Sequence, residues 1–154
     1  MTILIINGPN LNLLPKRDSM LYGTKTLDEI QEMLQNYARN KVRRKVDLKF
    51  FQSNHEGALI DYIQQEAGAF GLIINPGGLS HYSIALSDAL RDFKGKKVEV
   101  HLSDISKRET FRKISITGAA CDKVIAGKKE KGYMEALKFL IDPIASDPPM
   151  QLSE

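Results

Sequence analysis

The chain is short of most features that would narrow its role quickly. It has one cysteine, Cys121, so an internal disulfide framework is excluded and a reducing, cytoplasmic setting fits. That cysteine lies in an apolar Gly-Ala-Ala-Cys stretch, which suits a buried structural thiol better than a nucleophile. No apolar run approaches the roughly 18 residues of a membrane span. The opening Met1–Asn7 stretch lacks the charged-then-apolar layout of a signal peptide and reads as a strand. Neither G-x-G-x-x-G nor G-x-x-x-x-G-K-[ST] occurs, which removes the usual phosphate-cradling loops. Three scattered histidines without a cysteine cluster give no metal-ligand pattern. There is no internal repeat and no linker.

Charge of one sign is also scarce. A net charge of +3 over 154 residues is a mild excess and not a nucleic-acid footprint. The one dense basic run, Lys41-Val42-Arg43-Arg44-Lys45, follows a predicted helix and reads as favourable charge at its C-terminus on a solvated face. A nucleic-acid patch wants aromatic interleaving or a known module, and neither is found.

What is present is alternation. Ile3–Ile6, Leu72–Asn75, Lys97–His101 and Lys123–Ala126 read as short buried strands, with Val46–Gln52 a looser fifth. Between them lie helical stripes. Thr26-Leu27-Asp28-Glu29 has the form of a capping box, followed by Leu27, Ile30, Leu34 and Tyr37 on one face. Ala58, Leu59, Tyr62 and Ile63 repeat the spacing, as do Ala85, Leu86, Ala89 and Leu90, then Tyr133, Ala136, Leu137 and Leu140. An irregular Ser103–Cys121 connection interrupts the series. Such alternation predicts an α/β flavodoxin-like three-layer sandwich: a five-stranded parallel sheet in the order 2-1-3-4-5, helices on both faces. Residues 1–142 form the expected single domain. Residues 143–154, within a stretch carrying three prolines, are expected to trail as a loose tail.

In this architecture ligands bind beyond the carboxyl ends of the strands, where the winding reverses. The unusual residues follow strands 1, 3 and 4, the expected central neighbours. The segment after strand 1 is longer than the roughly 2–6 residues of an ordinary connection and carries Asn10, Asn12, Lys16, Arg17 and Tyr22, so it is a candidate lid. After strand 3, Asn75-Pro76-Gly77-Gly78 leads into a helix expected to be capped by Ser80, whose free amides would favour an anion. His81, in the first turn of that helix, is equally a ligand contact or a surface histidine. Glu99 and His101 share a strand face, so the carboxylate can orient one imidazole nitrogen and leave the other for proton transfer. His55 has no such partner and reads as structural or surface. Arg108 and Arg112, four apart, would share one face if Arg108–Lys113 is a helical turn, and guanidinium forks suit a carboxylate. Solvated surface charge is the alternative for both.

Taken together, several of these strings resemble one family. Asn7-Gly8-Pro9-Asn10-Leu11-Asn12-Leu13-Leu14 with Arg17 and Tyr22-Gly23 is similar to the signature of type II 3-dehydroquinate dehydratases. Phe51-Gln52-Ser53-Asn54 with Glu56-Gly57, Ile74–Gly78 with Ser80-His81, Glu99–Ser103, Arg108-Glu109, Phe111-Arg112 and Gly132-Tyr133 continue it, collinear from about Ile3 to Leu140. The resemblance implies a hydro-lyase of the shikimate or quinate route: reversible anti elimination of water from 3-dehydroquinate through an enolate, without a cofactor, in a homododecamer built as four trimers. It implies Tyr22 as the base and Arg17 as the cation that makes its phenolate accessible, since an ordinary phenol has a pKa of about 10. Asn10 would help hold the enolate oxygen through an ordered water, and His101, oriented by Glu99, would protonate the departing hydroxyl. Asn75, His81, the Leu102–Ser103 backbone and Arg112 would hold substrate, and Asp88 would reach a site across a trimer interface. The chain departs from the family pattern at Pro15 for a common glycine, Asp18-Ser19 for Glu-Pro, Tyr82 for threonine, Asp104 for asparagine and Lys129 for glycine.

Three readings compete with that one. A flavin-carrying module of the same fold would purify yellow. A receiver-type signalling domain wants acids after strand 1, where Asn7-Gly8-Pro9-Asn10 has none. A catalytically lapsed scaffold would keep the fold and fail the assay.

Overall fold

In the computed structural model, which describes residues 1–145, the apolar opening run forms β1 (Thr2–Asn7). Its side chains alternate between two cores, as the period of a strand requires. Ile3 and Ile5 enter one cluster, Leu4 and Ile6 the other. Two more strands repeat that two-sided burial, β3 (Gly71–Asn75) and β4 (Lys96–His101), whereas β5 (Lys123–Ala126) buries only Ile125. The more exposed β2 (Asp47–Gln52) closes one edge. Among the described residues the sheet has five strands, all neighbours parallel, in the order β2-β1-β3-β4-β5. Fold class, strand count and order are those expected from the alternation.

The helices take up the two faces. α2 (Leu27–Lys41) and α5 (Lys131–Ala145) bring Ile30, Leu34, Tyr133, Leu137 and Leu140 to the Ile3/Ile5 side. α3 (Glu56–Gln65) and α4 (Ile84–Asp92) bring Leu59, Ile63, Leu86 and Leu90 to the Leu4/Ile6 side. Each fully buried aliphatic side chain contributes roughly 1.5–3 kcal/mol, so these two layers dominate the stability. The capping box forms as read: Glu29 N–H donates to Thr26 Oγ1 at 3.1 Å, and Thr26 N–H to the Glu29 carboxylate at 2.8 Å. Such a cap contributes about 1 kcal/mol.

Four local expectations need correction. The helix after β3 is capped by Ser83, whose Oγ accepts from Leu86 N–H, and not by Ser80. A 3-10 turn, Gly77–His81, comes first, so His81 closes that turn instead of opening α4. Arg108–Lys113 is not one helical turn. Two 3-10 turns, Ile105–Lys107 and Thr110–Arg112, flank Arg108, which is extended. The segment after β1 is not open loop either: a 3-10 turn (Leu11–Lys16) and the short α1 (Ser19–Tyr22) fill it, with Leu11 and Leu14 buried in the core.

At the other end, α5 takes in 143–145, where the trailing segment was expected to begin, and 146–154 lie outside the described residues. Among the described residues no helix is long and apolar enough to cross a membrane.

Candidate active site

The parallel register sets the carboxyl ends of the three central strands side by side. Asn7 pairs with Asn75 across β1 and β3, and Ile74 pairs with Glu99 across β3 and β4. The loops leaving β1 and β3 pack directly on each other. A Cβ on Gly8 would lie 2.4 Å from the Pro76 carbonyl oxygen, so only glycine fits there. Gly77, at φ 60°, adopts the left-handed backbone that glycine alone takes without strain.

Above these ends lies a cleft lined by Asn10, Arg17, Tyr22, Asn75, His81, His101, Leu102, Ser103, Arg108 and Arg112. All ten are residues singled out in the sequence, now brought to one surface. Of the residues given a catalytic or substrate-holding role, two are elsewhere. Glu99 is fully buried behind His101, while Asp88 sits exposed on α4 and does not line the cleft of its own chain.

One wall is charge on short turns. Tyr22, at the end of α1, accepts a hydrogen bond from Arg17 Nη2 at 2.9 Å and another from Arg108 Nη1 at 3.0 Å. The Arg17 guanidinium also lies 4.3 Å from the centre of the phenol ring. Partial burial pushes the Tyr22 pKa up, but the Arg108 hydrogen bond and the two positive charges outweigh it and hold the phenol below its ordinary range. Arg108 Nη1 reaches Ser103 Oγ as well, at 3.2 Å, tying this wall to the end of β4. The neighbouring Arg112 guanidinium has Nε 3.3 Å from the Glu109 carboxylate.

The other wall is hydrogen-bonded strand end. Glu99, at 0% exposure, faces three donors: His101 Nε2 at 2.5 Å, Thr117 Oγ1 at 2.5 Å and Ser115 Oγ. A buried carboxylate is tolerated only when so satisfied. With Nε2 committed to Glu99, Nδ1 is the His101 nitrogen left for a ligand. His81 is held the other way round: its Nδ1 meets the Ile114 carbonyl at 2.8 Å, leaving Nε2 free. The two imidazoles stand 6.4 Å apart, nearly parallel. Asn75 receives Gly77 N–H on its amide oxygen.

Sequence and structure comparisons decide what this arrangement belongs to. A family model described as Dehydroquinase class II matches residues 1–141. The chain belongs to the class II dehydroquinase family. A 3-dehydroquinate dehydratase of Bartonella henselae is 50% identical over 142 residues, covering 92% of this chain and 94% of that protein. One of Helicobacter acinonychis is 48% identical over 147 residues, covering 94% and 87%. Among solved structures, a type II dehydroquinase from Butyrivibrio crossotus superimposes with a TM-score of 0.86 at 43% identity, over 91% of this chain and 97% of that one. Another, from Propionibacterium acnes, gives 0.84 at 37% identity, over 95% and 97%.

Several departures from the dehydroquinase pattern acquire a place. Pro15 sits inside the Leu11–Lys16 turn, and Asp18 caps α1 by accepting from Met20 N–H at 2.9 Å. Asp104 caps the Ile105–Lys107 turn through Ser106 N–H. Lys129 adopts φ 51°, the left-handed conformation for which glycine is the natural choice. Tyr82 is exposed on the rim of α4.

Reading residues in order missed three contributors. From the sequence Arg108 reads as an anion ligand beside Arg112 or as surface charge, yet it holds the Tyr22 hydroxyl from 86 positions away. Ser115 and Thr117 lie in the irregular connection and return beneath β4 to Glu99. Hydroxyls in a segment bound to re-enter the sheet were the only available signal. Cys121 is mostly buried, with its thiol pushed up to about 12 by burial and by the nearby Glu99 charge, so it stays protonated near neutrality.

Proposed function

We propose that this protein eliminates water from 3-dehydroquinate to give 3-dehydroshikimate, as the names of its relatives state for them. The observation that carries the reading is the Tyr22 hydroxyl held between two guanidiniums in a cleft that also receives His101. A phenol lowered in this way is available as its anion at a pH where an ordinary one, at about 10, is not.

The proposed course is an anti elimination in two steps. Tyr22 phenolate takes the proton beside the substrate carbonyl, and the electron pair moves onto the carbonyl oxygen to form an enolate. Asn10, through an ordered water, helps hold that oxygen where charge develops. The enolate then re-forms the carbonyl and expels the hydroxyl, which leaves as water with a proton from His101. Glu99, fully buried and facing three donors, orients the imidazole through its Nε2. Arg112, Asn75, His81 and the Leu102–Ser103 backbone would hold the substrate's carboxylate and hydroxyls. Asp88, exposed on α4, would reach the cleft of a neighbouring subunit in a homododecamer of four trimers, within the cytoplasm.

The test is purified protein with 3-dehydroquinate, following the ultraviolet absorbance of the conjugated product. Absorbance should rise, and borohydride added with substrate should not inactivate the enzyme, since no lysine Schiff base is involved. No rise, or an undiminished rate in His101→Ala, would sink the reading.

A further inference from the structure

Three buried side chains form a hydrogen-bonded line beneath the cleft. Asn7 ends β1, Tyr133 stands in the first turn of α5 and Asn75 ends β3, with exposures of 5, 0 and 3%. Asn75 alone of the three lines the cleft. A phenylalanine would fill the Tyr133 volume equally well, so the buried hydroxyl calls for a reason of its own.

The direction of every bond in the line follows from one backbone amide. Gly77 N–H lies 3.1 Å from the Asn75 amide oxygen, and a backbone N–H can only donate. The Asn75 side chain is thereby fixed, with Nδ2 toward Tyr133 Oη at 3.1 Å. An amide nitrogen also can only donate, so the tyrosine oxygen accepts there. Its single proton goes the other way, to Asn7 Oδ1. Burial pushes the Tyr133 phenol well up, against a smaller opposing effect of the Asn75 bond, and keeps that proton in place.

We propose that Tyr133 is a positioning residue for the site. By accepting one Nδ2–H of Asn75, it locks the amide so that the second Nδ2–H is offered to an acceptor oxygen of the substrate, a hydroxyl or carboxylate oxygen. Asn7 completes the relay by taking the tyrosine proton. The register that pairs Asn7 with Asn75 holds both ends level, and α5 drops its first turn between them. The choice of ligand rests on the dehydratase reading; the direction of the relay does not.

The experiment is Tyr133→Phe in the full chain, assayed with 3-dehydroquinate alongside Asn75→Ala and the double variant. We expect KM to rise about tenfold in Tyr133→Phe, the equivalent of one hydrogen bond, with kcat within about threefold. The acid limb of the pH profile should not move. In the double variant KM should match that of Asn75→Ala alone, because Tyr133 acts only through that side chain. An unchanged KM with a lowered Tm would make Tyr133 purely structural and overturn the proposal, as would effects that multiply in the double variant. Should Tyr133→Phe fail to fold, Asn7→Ser opens the same relay from its far end and is read by the same criteria. An inactive wild type would instead defeat the dehydratase reading, and the ligand named here with it.

Discussion

The two walls of the cleft are made of different material. The β4 side stands on a strand end: Glu99 and His101 are buried, and every polar atom of the Glu99 carboxylate is answered by a donor from β4 or the Ser115–Thr117 stretch. The lid side hangs from short turns, with Tyr22 and Arg17 only half-buried and held to Arg108 by charge. Burial fixes geometry at the cost of desolvation, so it suits a group that must keep one orientation. Charge on short turns suits a group whose proton affinity must be shifted. The contrast implies that damage to the two walls should be told apart by pH dependence as well as by rate.

The largest effect is expected on the lid side. Tyr22→Phe removes the proposed base without altering the volume, and kcat should fall on the order of 10³-fold at every pH. Recovery of the rate at high pH in that variant would show that another group takes the proton. Next comes the strand-end wall. Glu99→Gln keeps the shape but withdraws the negative charge facing His101, and kcat should fall about 10²-fold. Its acid limb, set by Tyr22, should remain where it is in the wild type. A limb that moves would mean that the two walls are electrostatically one.

A smaller loss, of a different kind, should follow Arg108→Met. The variant loses a hydrogen bond and a positive charge that lower the Tyr22 pKa, leaving Arg17 alone against the upward push of burial. The active form is the anion, so a raised pKa reduces the active fraction on the acid side, about tenfold per pH unit of displacement. The acid limb should shift upward, activity near neutrality should fall, and the rate should return as pH approaches the new pKa. A uniform loss at all pH values would assign Arg108 to substrate binding instead.

The contrast between the walls also explains what could be read from the sequence. Period and composition suffice for elements that bury a stripe: β1, β3 and β4 and the faces of α2 and α5 are legible because Ile3, Leu34 or Tyr133 has nowhere else to go. The Thr26–Glu29 box is legible because its partners are three residues apart. Ser80 and Ser83 are equally plausible caps in one dimension. The choice is made by the Gly77–His81 turn, which takes up Ser80 and leaves Ser83 to receive Leu86 N–H and to reach the Glu56 carboxylate. Strand-end residues such as Glu99 and His101 could be paired from their spacing alone. The Arg108–Tyr22 contact could not, since it depends on two loops meeting across the top of the sheet, with β3 lying between their strands.

The smallest effect tests whether the walls are mechanically separate. Lys129 lies at the seam. Its N–H ties to the Leu102 carbonyl at 3.1 Å, and its side chain packs near Gly23, where the lid ends; a Cβ on Gly23 would come within 3.4 Å of Lys129 Cβ. Its left-handed backbone costs about 1–2 kcal/mol for a residue with a Cβ, while glycine gives back about 0.5–1 kcal/mol in unfolded-chain entropy. Lys129→Gly should therefore stabilise the protein by about 0.5–1 kcal/mol, read as a higher urea midpoint at unchanged slope and fixed protein concentration. If the seam is passive, kcat and the acid limb stay as they were. If kcat changes while the midpoint rises as expected, the lid's motion is coupled to the strand end through Lys129, and the two walls work as one device.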